Sequence, residues 1–346
     1  MSTIPGDSAE GVRPLAGTGL VIRDALPWQG CLQVLGAAQD TGYGAVFVPE
    51  IDGREAFATL AGFGLAAQSM RLGTGVVPMW SRSPAVTAMG AATVHELSGG
   101  RMVLGLGSGL PASAHQVALA GGRGPVDLLR DYVRAVRAAL SGKPVRGGGG
   151  FGTDGFTLSL PLAEELGPPP IWLAALGDRM VALAGEVGDG VLLNWCTPER
   201  VARARTRLAQ AASNAGRDPA AITVAVYVRA CLNVERAVAL AALREMTGRY
   251  ATIPHYRAQF EAMELGEAAG AAAAAFEAGR IADVPEELVM AVTVAGGRQE
   301  AVARFAEYRR AGADLVLCYP VTASLDPFSS MLGTVLAAAP ETAVER

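Results

Sequence analysis

The chain of 346 residues holds few of the side-chain sets that perform chemistry unaided. Its histidines, His95, His115 and His255, are far apart, and no His/Asp/Glu spacing predicts a metal site. No GxSxG elbow marks a nucleophilic serine. Cys31, Cys196, Cys231 and Cys318 form no CxxC pair, and their apolar surroundings read as reduced core thiols of a cytoplasmic protein. What the chain does offer is glycine backbone. Gly73-Thr74-Gly75 and Gly105-Leu106-Gly107-Ser108-Gly109 each close an apolar run, and Ala174-Ala175-Leu176-Gly177-Asp178-Arg179 closes another and opens a helical pattern. Glycine lets a ligand approach the main chain closely, and N–H groups at a helix start hold phosphate. A plainer reading of the third turn competes, with Asp178 as an ordinary N-cap. Asp178 opposes a nearby anion; Arg179 favours one. The run from 105 to 109 is not the dinucleotide fingerprint, because no third glycine opens a helix at the required spacing. Glycine backbone without an acid–base set points to a reaction carried by a bound cofactor.

Eight short apolar runs predict the strands that position these turns: 19–22, 44–48, 71–77, 101–106, 171–174, 190–193, 222–228 and 314–318. Helical patterns alternate with them, at 29–40, 54–69, 85–97, 125–140, 178–187, 198–215 and 300–311. Ser83-Pro84 supplies an N-cap and a first-turn proline for the third of these. Strict alternation at that count favours an α/β fold with a single (β/α)8 TIM barrel over a doubly wound sheet. Residues 1–16 read as disordered and 17–346 as one barrel domain. Ala-rich helices at 235–249 and 256–279 form an insertion between strands seven and eight, near 250–290. The stretch 142–170 is irregular, with a short strand expected at 156–160.

In a barrel of this kind the active site is built from the residues just beyond the end of each strand. That selects Arg23-Asp24, Glu50 and Asp52, the stretch 76–80, 107–109, 175–179, Asn194-Trp195, Arg229 and Tyr319. His95 is expected to be solvated, His115 to lie near the mouth, and His255 to belong to a lid. A net charge of −4 and a pI near 5.6 disfavour nucleic-acid and anionic-membrane partners. No run reaches the roughly 18 apolar residues of a membrane span, and the first residues show no secretory signal. A small-molecule substrate is the expected partner.

The stretch LGTGVVPMWSRSPAVTAMGAATVHELSGGRMVLGLGSG, with PIWLAALGDRMVALAGEVGDGVLLNWCTPERV, resembles the bacterial luciferase-like monooxygenase superfamily. Within it the chain is most similar to the branch that uses the deazaflavin coenzyme F420, which includes methylenetetrahydromethanopterin reductase. The resemblance implies a barrel holding the cofactor in its C-terminal mouth. It also implies a non-proline cis peptide at Gly75–Val76, with Gly75, Val76 and Val77 forming the wall behind the ring. By the same resemblance, Ala175, Leu176 and Gly177, flanked by Asp178 and Arg179, hold the cofactor phosphate, and Gly107, Ser108 and Asn194 contact the ring or its ribityl chain. Many relatives are homodimers. Leu110 stands where sugar-phosphate dehydrogenases of the family carry a glutamate, and Glu50-Ile51-Asp52 stands where they carry a histidine. The expectation is therefore hydride transfer from F420 to a small organic molecule, reducing C=C or C=N, with Glu50, Asp52 or Tyr319 as proton donor. Two alternatives remain: a monooxygenase using reduced FMN, and a cofactor-binding barrel without turnover.

Overall fold

The structure, a computed structural model, describes residues 15–23, 25–109, 121–147, 150–160, 162–323 and 326–340. Its strands are β1 (Gly17–Val21), β2 (Ala45–Val48), β3 (Arg71–Thr74), β4 (Val77–Pro78), β5 (Met102–Gly107), β6 (Ile171–Ala175), β7 (Gly190–Asn194), β8 (Thr223–Leu232), β9 (Thr293–Gly296) and β10 (Leu315–Pro320). Neighbours run β1-β2-β3-β5-β6-β7-β8-β10, and β10 pairs back onto β1, so the parallel sheet closes on itself. This is the expected (β/α)8 barrel.

Every residue of β2, β5, β8 and β10 is buried, the signature of parallel strands covered on both faces. Alternate side chains divide between two cores. Phe47, Trp172, Leu192, Tyr227 and Leu317 point inward and fill the barrel, with the rings of Phe47 and Trp172 5.5 Å apart. Their neighbours face out against the surrounding helices, where Leu60, Leu129, Val136, Leu183, Leu208 and Phe305 complete the larger core. Helix starts follow local chemistry: Ser83, Thr197 and Asp326 each accept a hydrogen bond from a backbone N–H of the first turn, and a proline follows each.

The structure departs from the sequence expectations at several points. Run 71–77 splits into β3 and β4 around a bulge. Residues 156–160 form no strand; Phe156, Leu158 and Leu160 instead pack on the main core. The expected helix 256–279 is two helices, Pro254–Ala262 and Gly266–Glu277, broken where Glu264 takes a left-handed φ of 64°. Together with Arg236–Ala251 and Glu286–Val292 they build a second core around Phe260, Leu243, Ala272 and Leu288. The unanticipated β9 then extends the outer end of β8, pairing Arg229–Leu232 with Thr293–Gly296. His95 is buried rather than solvated. Its Nε2 lies 3.4 Å from the Leu166 carbonyl, and burial lowers its pKa despite that contact. Residues 1–14, Asp24, Leu110 and His115 lie outside the described residues.

Candidate active site

The site is organised by the place where the third barrel strand breaks. Leu72 and Gly73 pair with Met102 and Val103, whereas Val77 and Pro78 pair with Leu106 and Gly107. The register has shifted by one residue, which defines a β-bulge. Within it, Gly75–Val76 is a non-proline cis peptide, at the bond the family resemblance implied. Polar contacts hold the bulge from every side. Thr74 Oγ1 donates to the Gly105 carbonyl and accepts from the Gly105 N–H, both at 2.8 Å. Gly75 N–H donates to Val48 O at 2.8 Å. Tyr227, reaching across the barrel from β8, donates its hydroxyl to the Gly75 carbonyl at 2.8 Å. Gly75 has to be glycine, since a Cβ there would sit 1.8 Å from the Tyr227 hydroxyl oxygen. Gly107 meets the bulge from the other side, where a Cβ would come 2.6 Å from Val76 Cγ2.

This bulge forms one wall of a cavity of about 530 Å³ at the C-terminal ends of the strands. Of the residues expected there, Glu50, Gly75, Val76, Gly107, Ser108, Ala175, Leu176, Gly177, Asn194 and Tyr319 line it. Four do not. Val77 is fully buried in the core behind the bulge and has no face toward the cavity. Asp52 pairs with Arg23 at 3.2 Å and lines a separate cavity of about 380 Å³ beyond Tyr319. Asp178 is the first residue of its helix rather than the N-cap, which is Gly177, and it pairs with Arg200 at 2.7 Å. Arg179 is exposed and is not part of the lining. The same Arg200 donates to Leu176 O at 2.6 Å, so it fixes the turn while balancing the Asp178 charge. A Cβ on Gly177 would meet nothing within 4 Å, so the turn presents open main chain.

Glu50 lines the rim, but its chemistry is spoken for. Burial raises its pKa, yet the Arg82 fork, at 2.5 and 2.7 Å, and the Ala56 N–H, at 3.0 Å, more than reverse this and hold it below the usual carboxylate range. Arg82 also pairs with Glu55. An ionised, forked carboxylate makes a poor acid, so neither Glu50 nor the outlying Asp52 suits the part of proton donor.

The rest of the lining is a group of aromatic hydroxyls around one guanidinium, which the order of residues does not reveal. The sequence marks Arg229 as a strand-end residue without a role, and it gives no signal for Tyr227, Tyr250 or Tyr256. Arg229 is buried and donates from Nη1 to Asn194 Oδ1 at 2.6 Å. Its guanidinium carbon lies 3.9, 4.6 and 5.0 Å from the ring centroids of Trp195, Tyr319 and Tyr250. Guanidinium only donates, so the Asn194 amide has one sensible orientation. Its Nδ2 then donates to the Tyr256 hydroxyl at 3.0 Å. Asn194 thus accepts from Arg229 and donates to Tyr256 while it lines the cavity. Tyr256 comes from the insertion, and Gln259, one turn on, explains how it is placed. Gln259 Nε2 donates to the carbonyls of Asn194 and Trp195, both at 2.6 Å, bracing Trp195 in a left-handed φ of 53°. Burial raises the pKa values of Tyr256 and Tyr319 and lowers that of His255, which lines the cavity beside Tyr256. His255 thus lines the cavity from the inserted helix Pro254–Ala262.

The result is a closed parallel barrel with a bulged third strand and a glycine-faced cavity at its C-terminal mouth, the end at which barrels of this kind build their sites. The chain belongs to the luciferase-like monooxygenase family, whose model matches residues 11–315. It is similar to the 5,10-methylenetetrahydromethanopterin reductase of Methanolobus tindarius, with 33% identity over 205 residues, 59% of this chain and 61% of that one. It is also similar to a putative coenzyme F420-dependent oxidoreductase of Mycobacterium tuberculosis, with 38% identity over 194 residues, 50% of this chain and 53% of that one. The matches thus span under two thirds of the length of these curated relatives. The fold is shared with the coenzyme F420-dependent tetrahydromethanopterin reductase of Methanopyrus kandleri, at a TM-score of 0.76 and 20% identity over 94% of this chain and 98% of that one.

Proposed function

We propose that the protein is a coenzyme F420-dependent oxidoreductase that reduces a C=C or C=N bond of a small organic molecule. The observation that carries this reading is the cavity itself, lined by the bulge at Gly75, Val76 and Gly107, by an open main-chain turn at Leu176 and Gly177 and by several tyrosines. The two glycines let the bulge close-pack, Gly75 around the Tyr227 hydroxyl and Gly107 around Val76, so that main chain faces the cavity, and the turn opens a ten-residue helix whose first N–H groups suit a phosphate. When bound, a reduced deazaflavin supplies a hydride. The residues of the chain supply position, exclusion of water and the proton.

Tyr256 fits the proton's source better than Glu50 or Asp52. Its oxygen accepts from Asn194, so its own hydrogen points away from that bond and is available within the cavity. The tyrosinate left after donation would be stabilised by the Asn194 amide. Tyr319, the third candidate from the sequence, interacts instead with Arg23 and Arg229.

Equilibrium titration of the purified chain with F420 and with FMN tests the cofactor assignment; FMN binding without F420 binding would overturn it. For the donor, Tyr256→Phe is expected to lower kcat by roughly 10²–10⁴-fold with the F420 dissociation constant unchanged. An unaltered kcat returns the role to Tyr319.

A further inference from the structure

We infer that Arg229 binds a carboxylate of the substrate, so that the cavity takes a flat, largely apolar molecule bearing one carboxylate. This rests on the oxidoreductase reading and names the substrate class of that same site. Arg229 is only 2% exposed, yet no Asp or Glu pairs with it among the described residues. Nη1 goes to a neutral amide, Nε has no partner, and no hydrogen bond from Nη2 is present among the described residues. Burying an unpaired cation is costly, and ring faces recover only part of that cost. Elsewhere in this protein the buried or half-buried guanidiniums near the site are matched: Arg82 by Glu50 and Glu55, Arg200 by Asp178. Arg229 differs in lining the cavity, where a ligand can complete it.

The surroundings select the anion. Among the described lining residues the other basic side chain is His255, which burial pushes toward its neutral form, and Glu50 is already paired. One net positive charge suits a carboxylate; a phosphate group, at about −1.5 to −2 near neutral pH, needs more. A guanidinium with Nε and Nη2 unpartnered has two N–H groups along one edge, the geometry that accepts a planar carboxylate in a fork. The aromatic side chains of Tyr250, Tyr256 and Tyr319 in the lining favour a flat apolar body next to it.

Calorimetric titration of the full chain without cofactor, using cinnamate as probe and cinnamamide as its neutral counterpart, tests the inference. Cinnamate is expected to bind at least about tenfold more tightly than cinnamamide, and Arg229→Met is expected to abolish that preference. Arg229→Lys, keeping the charge but not the fork, should retain part of it. The melting temperature of Arg229→Met without ligand should equal or exceed that of the parent, because an uncompensated buried charge is being replaced by an apolar chain of similar length. Equal affinities for acid and amide in the parent, or an acid preference that survives in Arg229→Met, would overturn it. So would a loss of F420 affinity in Arg229→Met with cinnamate binding intact, which would move Arg229 to the cofactor. Cinnamate preference in a chain that binds no F420 would uphold the carboxylate site and defeat the oxidoreductase reading alone.

Discussion

Gly75 and Tyr227 can be tested as a pair, because what forbids a side chain at one is a single atom of the other. Gly75→Ala places a carbon 1.8 Å from the Tyr227 hydroxyl oxygen, far inside any tolerated contact. Tyr227 cannot swing aside: it is 4% exposed, inside the barrel, and its ring packs edge-on against Tyr319 at 5.6 Å. Relief has to come from backbone or ring displacement and forfeits the 2.8 Å bond to the Gly75 carbonyl. Overpacking of this kind costs about 1–3 kcal/mol, and the lost hydrogen bond about 1 more, so about 2–4 kcal/mol is expected. Tyr227→Phe alone leaves the Gly75 carbonyl unpaired and should cost about 1–2 kcal/mol. In the double variant the nearest atom becomes the ring carbon, 3.1 Å away, a contact that shifts of a few tenths of an ångström relieve. The double variant should then be little worse than Tyr227→Phe, a favourable coupling of about 2–3 kcal/mol. Urea unfolding monitored by tryptophan fluorescence gives all four corners of the cycle. Gly105→Ala is the control, since its Cβ would lie 2.0 Å from the main-chain oxygen of Thr74 and no side-chain truncation can rescue it. If Gly75→Ala and Tyr227→Phe add to within about 0.5 kcal/mol, the account of this wall is wrong.

The cavity and its rim lead to two further outcomes. Gly177→Asp meets no steric obstacle but sets a carboxylate at the open turn, so F420 affinity should fall about tenfold while the melting temperature stays put; unchanged affinity would remove the turn from the phosphate site. Arg82→Met leaves Glu50 half-buried beside Glu55 without a cation, at a cost of about 2–4 kcal/mol near neutral pH. Because the folded protein lowers the Glu50 pKa, the ion pair's contribution is fully present above its ordinary value of 4.5 and is lost as pH falls through the lower folded value. The stability gap between parent and Arg82→Met should therefore narrow in acid, and a gap independent of pH down to about 3 would contradict that assignment.

The barrel is legible because its strands are short apolar runs ended by glycine or proline, and burial on both faces forbids most other patterns. The cavity floor obeys the same logic, since strand ends in a barrel share one mouth: Gly75, Gly107, Leu176, Gly177 and Asn194 all line it. What sequence does not show is pairing. Glu50 and Asp52 look like acids because nothing in the order of residues shows that Arg82, 32 positions on, forks one and that Arg23 draws the other outward. Val77 differs from its expected place for a geometric reason. The bulge adds one residue to the strand, and a shift of one residue turns the next side chain from cavity to core.

The insertion presents the deeper limit. Its Ala-rich pattern announces helices but not their seat, because small residues pack equally well in several registers. The seat is set by long-range polar contacts: Gln259 reads two carbonyls at the end of β7, and Glu264 breaks the chain so that the next helix can turn back. Once Gln259 is docked, helical periodicity brings Tyr256 onto the same face, three residues earlier, within reach of Asn194. Asn194, already oriented by Arg229, then determines which way the Tyr256 proton can point. The glycine wall belongs to the barrel and so to the pattern of the strands, whereas Tyr256, the proposed proton donor, reaches Asn194 from a helix that Gln259 seats. Relatives that keep the barrel but seat a different insertion would therefore be expected to keep the cofactor wall and change the substrate.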